Sequence, residues 1–166
     1  MEHNINIKGT DISLLPLNKE FSECYRKLRN RDDNRFYFFN SAIIEKEQQK
    51  RWYESYLAEK DQYMFAIIEN GKGYFVGGVG IYDVVTNFEK TAQVGRIIVD
   101  KERCFGKGYG AQALKLLAQI AKNDLKLVSL YAYIMKTNIA SIKTFEKAGY
   151  QLIEENSDRC KVKILL

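Results

Sequence analysis

The sequence predicts an α/β fold of the α+β kind: a mixed, mostly antiparallel central sheet flanked by helices. Three observations predict it. The apolar pattern switches from helical spacing to a period of two in the strands at 62–69 and 74–82 and returns to helical spacing at 110–123. Asn70-Gly71-Lys72-Gly73 separates two alternating runs, and Asn-Gly in that setting is a hairpin signal. Residues 91–135 read strand, helix, strand, a crossover that introduces one parallel pair.

In order, residues 12–17 read as a first strand. Residues 18–30 follow with helical spacing of Phe21, Tyr25 and Leu28, and Asn18 is placed to cap the first free N–H groups. Residues 31–40 are irregular and aromatic. Residues 44–57 form a second helix that gathers Trp52, Tyr53, Tyr56 and Leu57. The hairpin strands are 62–69 and 74–82, and 91–100 is a further strand after a turn near Asn87. Residues 110–123 form the clearest amphipathic helix, with Ala113, Leu117, Ile120 and Ala121 on one face. A strand at 127–135 leads to a helix at 138–148, between Asn138 as cap and Gly149 as stop. Residues 150–154 and 161–166 are closing strands.

Composition narrows the function classes. With 46% hydrophobic and 28% charged residues, no linker and no repeat, one globular domain over 1–166 is expected. The polar start Met1-Glu2-His3-Asn4 is not a signal peptide, and no apolar run approaches the ~20 residues of a bilayer span. Cys24, Cys104 and Cys160 are odd in number and far apart, which fits a reduced cytoplasm better than a disulfide framework. The net charge of +5 comes without a nucleic-acid motif, so it reads as a basic surface that admits an anionic ligand. The one histidine, His3, is expected in a frayed terminus. A Ser-His-Asp triad, a Cys-His pair and a two-histidine metal site are therefore excluded, and no metal is expected.

The most informative segment is the turn Phe105-Gly106-Lys107-Gly108-Tyr109-Gly110, between a strand and a helix. Glycines at alternate positions let the backbone approach a ligand closely. The starting helix presents free N–H groups and the positive end of its dipole, which together suit a pyrophosphate. Lys107 adds charge. A Walker loop fails here, because position 101 is Lys and the residue after Lys107 is Gly. A dinucleotide fingerprint (Gly106-X-Gly108-X-X-Ala111) fails as well: the next strand ends Ile134-Met135-Lys136, without an acidic ribose partner.

Residues 99–114 resemble the coenzyme-binding motif of the GNAT superfamily of acetyltransferases: Arg or Gln, two residues, Gly, one residue, Gly or Ala. The best register is Phe105, Gly108, Gly110, with an aromatic in the first position; Arg103, Gly106, Gly108 fits the letters but starts the helix too early. Asn138-Ile-Ala-Ser141-Ile-Lys-Thr-Phe145, leading to Gly149-Tyr150, is similar to the family's second motif, whose Asn contacts the pantetheine arm. The resemblance implies acetyl-CoA as co-substrate, with pantetheine paired along Ile97, Ile98 and Val99. It places the coenzyme on Phe105 to Gly110 and on Asn138, Ser141 and Phe145. Gly95 reads independently as a bulge, a close backbone approach or a packing glycine.

The implied reaction is direct attack of a neutral amine on the thioester, which needs an oxyanion donor and an acid for the thiolate. Many relatives carry a Tyr seven residues after the Asn, where this chain has Phe145. Tyr109, Tyr131 and Tyr133 are candidate substitutes, or water serves. Relatives often carry Glu where this chain has Gln93, and some carry Glu at the position of Tyr133. Gln93 and Tyr133 are thus the candidate catalytic positions, and a weakly basic acceptor amine would need little help. An amine on a sugar ring meets that condition better than a lysine of pKa ~10.4.

The acceptor wall is expected in the first two helices. Residues 26–35 carry five cations against two anions, followed by aromatics at 36–39 and by Trp52. Arginine suits phosphate and aromatics suit bases. Leu28-Arg29-Asn30, Gln49-X-X-Trp52 and residues 131–138 are similar to GNAT enzymes acting on nucleotide-linked amino sugars. Arg29, Asn30, Phe38 and Trp52 are the candidate acceptor residues, and the partner is a small-molecule amine, nucleotide-linked, bound to a monomer or homodimer. A protein N-terminus or a polyamine is the alternative acceptor, although a polyamine site should be acidic. A non-catalytic acyl-CoA-binding module is the alternative class.

Overall fold

Near-continuous apolar runs such as residues 64–68 demand a sheet with both faces covered, and the helices supply the cover. The computed structural model describes residues 3–166; Met1 and Glu2, the start of the polar N-terminus, lie outside the described residues. The elements are β1 (Ile7–Lys8), β2 (Ile12–Pro16), α1 (Lys19–Asn30), α2 (Asp32–Arg35), α3 (Lys46–Ala58), β3 (Tyr63–Glu69), β4 (Phe75–Val85) and β5 (Thr91–Val99). They continue with α4 (Lys101–Cys104), α5 (Tyr109–Asn123), β6 (Ser129–Met135), α6 (Ile139–Lys147), β7 (Gln151–Glu155) and β8 (Arg159–Leu165). The strands form one sheet in the order β1-β2-β3-β4-β5-β6-β8-β7. Every adjacent pair is antiparallel except β5 with β6, the parallel pair expected from the crossover.

Local chemistry sets the element ends. The Asn18 side chain accepts from the Phe21 amide at 2.8 Å and starts α1. Gln48 Oε1 accepts from the Glu45 amide at 2.8 Å and starts α3. The β3–β4 hairpin is pinned by Asn70, whose side chain donates to the Gly9 and Thr10 carbonyls and accepts from Ser13 Oγ.

The sheet is packed on both faces. On one, α5 buries Leu114, Leu117 and Ile120 completely against Val94, Leu130 and their neighbours, at about 2 kcal/mol for each such side chain. On the other, α1 and α3 bring Tyr25, Leu28 and Tyr56 onto Met64 and Ile98. Among the described residues no helix is long and apolar enough to cross a membrane.

Two expectations are corrected. Residues 31–40 are not wholly irregular, because Asp32–Arg35 close a short helix after α1. His3 is not frayed: it is buried, its Nε2 lies 3.3 Å from the Met64 carbonyl, and its ring packs on Tyr63 and Phe65 at 5.3 and 4.8 Å. A ring partner on a distant strand leaves no mark on the local pattern of a terminus.

Candidate active site

The site exists because two adjacent strands part company. β5 pairs with β6 only at Thr91, Ala92 and Gln93, opposite Ser129, Leu130 and Tyr131. Beyond that point β5 bends away, and the ladder with β4 shows the cause. Gly80 faces Gly95 and Gly78 faces Ile98, so Arg96 and Ile97 together oppose Val79, a β-bulge that turns the strand. Arg96 takes the left-handed conformation at φ 52°, which costs a non-glycine residue about 1–3 kcal/mol. Hydrogen bonds with Tyr25 of α1 and with Gln62, just before β3, hold it there. Tyr25 Oη donates to the Arg96 carbonyl at 2.8 Å, and Arg96 Nη1 donates to Gln62 Oε1 at 2.7 Å.

The gap is a cleft of about 490 Å³. Ile97, Ile98 and Val99 line one side and Tyr133, Ile134 and Met135 the other. Among the described residues the sheet-edge backbone of 94–99 has no strand partner on that side.

The glycine turn closes one end. Asp100 caps α4 by accepting from the Glu102 amide at 3.1 Å, and the chain then reverses through Gly106 (φ 74°) and Gly108 (φ 71°). A Cβ on either glycine would meet no atom within 4 Å, so the backbone faces open space there. Gly108 is the N-cap of α5, no side chain among the described residues caps that helix, and its first residues, Tyr109 and Gly110, line the cleft. The helix start at Tyr109 agrees with the register Phe105, Gly108, Gly110. Phe105, 91% exposed, stands at the mouth. A Cβ on Gly110 would lie 3.0 Å from Thr144 Cγ2, so this glycine serves the approach of α6 to α5.

Lys107 does not line the cleft. Its Nζ is 2.8 Å from Glu69 Oε1, which also accepts from Tyr109 Oη at 2.7 Å. The hydrogen bonds from Lys107 and then Tyr109 hold the Glu69 carboxyl below its ordinary range. The remaining expected coenzyme residues of the turn and of α6 do converge: Phe105, Gly106, Gly108, Tyr109, Gly110, Asn138, Ser141 and Phe145 all line the cleft. Asn138 Oδ1 accepts from the Ser141 amide at 3.1 Å, starting α6. Phe145 is buried and stands edge-on to Tyr150 at 4.9 Å, bringing no hydroxyl.

Of the catalytic candidates, Tyr133 lines the cleft, with Arg159 and Lys161 each 5.3 Å from its ring. Gln93 is not in the wall; its Nε2 donates at 2.7 Å to the hydroxyl of Tyr82, which is. Tyr82 was missed from sequence. Its signal was indirect: Gly95 inside a strand, and a facing strand long enough to set Tyr82 opposite Gln93. Burial pushes the Tyr82 phenol up, against the pull of Arg96 and the Gln93 hydrogen bond.

Of the acceptor candidates, Phe38 lines the cleft, whereas Arg29, Asn30 and Trp52 do not. Arg29 is buried and donates to the Ala42 and Asn40 carbonyls beneath the Phe38 ring. Asn30 exchanges two hydrogen bonds with the Ile44 backbone, at 2.8 and 2.9 Å. Both therefore satisfy the polar backbone of the segment between α2 and α3, which has no ladder of its own. Trp52 stacks on Tyr56 at 5.5 Å, with the Arg96 guanidinium 5.6 Å from its ring. The cations that line the cleft are Arg96 and Lys101, and among the described residues no carboxylate lines it. Sequence reading missed Arg96, whose strand position hides the bulge that turns it inward.

The family profile described as "Acetyltransferase (GNAT) domain" matches residues 13–151. The chain is 29% identical over 167 residues to the "Probable N-acetyltransferase YjcK" of Bacillus subtilis, covering 95% of this chain and 89% of that protein. Among solved structures, spermidine N-acetyltransferase from Vibrio cholerae, in complex with CoA and spermine, superposes with TM-score 0.82 at 17% identity, over 93% of this chain and 95% of that one. FdhC, described as a nucleotide-linked sugar GNAT, superposes with TM-score 0.84 at 21% identity, over 98% and 91%. The chain belongs to the GNAT acetyltransferase family, and it is an N-acetyltransferase of that fold.

Proposed function

We propose that the protein transfers the acetyl group of acetyl-CoA to the amine of a nucleotide-linked amino sugar. The charge of the cleft carries this reading: it is lined by Arg96 and Lys101 and by no carboxylate among the described residues. A polyamine is a string of cations and would meet like charge there. An acceptor with a diphosphate would meet opposite charge, and Tyr37, Phe38 and Phe39 in the same wall offer faces to a base. Next to the wall, Arg159 and Lys161 lie over Tyr133, extending the cationic surface along β8. The spermidine enzyme and the sugar enzyme both share the fold, so it is the charge of the cleft that supports the nucleotide-linked reading.

The residues present fit the coenzyme. Gly106 and Gly108 leave an open cradle, the uncapped start of α5 presents N–H donors to a pyrophosphate, and the free edge of 94–99 has the form of a missing ladder partner for an extended pantetheine. Bound there, acetyl-CoA supplies an activated thioester. The edge amides of β5 orient its carbonyl and oppose charge on the oxygen. Asn138 and Phe145 bound the cleft from the α6 side.

Two measurements test the proposal. Acetyl-CoA raises the melting temperature of the purified protein more than NAD or ATP does. Thiol release then appears with nucleotide-linked amino sugars and not with spermidine. Turnover on spermidine alone would replace the acceptor assignment, and binding without turnover on any amine would point to an acyl-CoA-binding module.

A further inference from the structure

Phe145 brings no hydroxyl to the cleft from the α6 position where many relatives carry a tyrosine. The structure provides another hydroxyl where β5 leaves β6. Tyr82 faces Gln93 across the β4–β5 ladder, and Gln93 is the last β5 residue paired with β6. The phenol crosses β5 over Gly95: a Cβ at position 95 would stand 2.4 Å from Tyr82 Oη. Glycine at 95 is thus the condition for that hydroxyl to reach the parting of the strands. Gln93 Nε2 donates to the phenol oxygen at 2.7 Å, and no protein acceptor takes the phenol proton among the described residues. The Arg96 guanidinium, 4.8 Å from the ring centroid, fixes the ring from the bulge.

We propose that Tyr82 carries the proton of the acetyl transfer. Its hydroxyl gives a proton to the sulfur as the carbon–sulfur bond breaks, and takes one from the acceptor nitrogen as the carbon–nitrogen bond forms. The amine loses one proton, the thiol gains one, and the phenol ends as it began. One oxygen serves both steps because Tyr82 lines the cleft together with Phe38 and with the 97–99 edge of β5. A phenol of ordinary pKa ~10 is protonated at neutral pH, as a donor must be, and burial shifts Tyr82 further in that direction. The role of Gln93 follows: its amide, donating to the phenol oxygen, aims the phenol proton into the cleft, so Gln93 is a positioning residue. The inference rests on the acetyl-transfer reading of the cleft.

The test compares wild type with Tyr82→Phe and Gly95→Ala. Tyr82→Phe lowers kcat on the order of 100-fold and keeps the thermal shift with acetyl-CoA. In Gly95→Ala the added methyl displaces the phenol, and the loss of kcat recurs with Tyr82 intact. The second readout needs no acceptor: the thiol of bound CoA is titrated through the ultraviolet absorbance of its thiolate. Without a phenol donating to the sulfur, the pKa of that thiol is higher in Tyr82→Phe than in wild type. An unchanged thiol titration overturns the proposal, and so does a thermal shift lost together with kcat. A shifted thiol titration with no turnover on any sugar nucleotide overturns the acceptor assignment and leaves Tyr82 in its role. Failure of wild type to bind CoA overturns both.

Discussion

At the scale of single residues, two buried polar groups show where this fold has unmet demands. The Tyr150 hydroxyl is buried beside Phe145 and has no hydrogen-bond partner among the described residues, and burial alone pushes its phenol far up. An unsatisfied hydroxyl of this kind costs about 1–3 kcal/mol. Tyr150→Phe is therefore expected to stabilise the protein by about 1 kcal/mol in a denaturant titration, with the edge-on contact to Phe145 retained. His3 makes the second case. Burial depresses its pKa below the ordinary 6.5, against the pull of the Met64 carbonyl. The unfolded chain then binds a proton more readily than the folded one. The contribution of His3 is complete above pH 6.5 and declines as pH falls below it toward the depressed folded value. Unfolding free energy measured from pH 7 to pH 5 should show this decline, and His3→Leu should flatten it.

At the scale of elements, the glycine turn and α5 act as one unit. Gly108 must hold φ 71° while capping the helix. Gly108→Ala is expected to cost about 1 kcal/mol of stability through that backbone angle. It should also abolish most of the acetyl-CoA thermal shift, because the methyl enters the open cradle. Most of this unit was legible in the sequence, since alternate glycines, a strand before them and a strong amphipathic period after them are all local signals. The two caps at Asn18 and Asn138 were legible for the same reason. What escaped was non-local. The ion pair of Lys107 with Glu69 joins the turn to the end of β3, so a lysine that looked like a phosphate ligand is held by a carboxylate instead. Arg29 and Asn30 sit at the end of α1 with the letters of a recognition motif, but their partners are backbone atoms of the segment that follows. Tyr82 and Arg96 needed the β4–β5 register, and a bulge shifts that register by one residue without any fixed sequence mark.

At the scale of the whole molecule, charge is distributed unevenly with respect to the sheet. The chain carries 26 Lys and Arg against 21 Asp and Glu, yet the cleft receives only cations from this set. Glu69, Asp100 and Glu102 are engaged around the turn by Lys107, Arg31 and Arg103. A cleft of this sign draws an anionic acceptor over a distance that salt controls, since the screening length falls from about 10 Å at about 0.1 M to about 3 Å at about 1 M. The KM for a nucleotide-linked acceptor is expected to rise several-fold across that range while kcat changes little. A neutral amine of similar size, lacking the phosphates, should show no such slope.

The three-residue pairing of β5 with β6 has a mechanical consequence. It divides the sheet into two leaves, β1 to β5 and β6 with β8 and β7, joined in the hydrogen-bond ladder by that short seam. Past that seam the 94–99 edge has no ladder partner among the described residues to protect its outward-facing amides from exchange. An extended ligand lying in the seam would act as the absent ninth strand and clasp the leaves together. Hydrogen–deuterium exchange should therefore slow sharply on addition of CoA at 94–99, with little change at β1, so that the coenzyme behaves as a removable piece of the sheet.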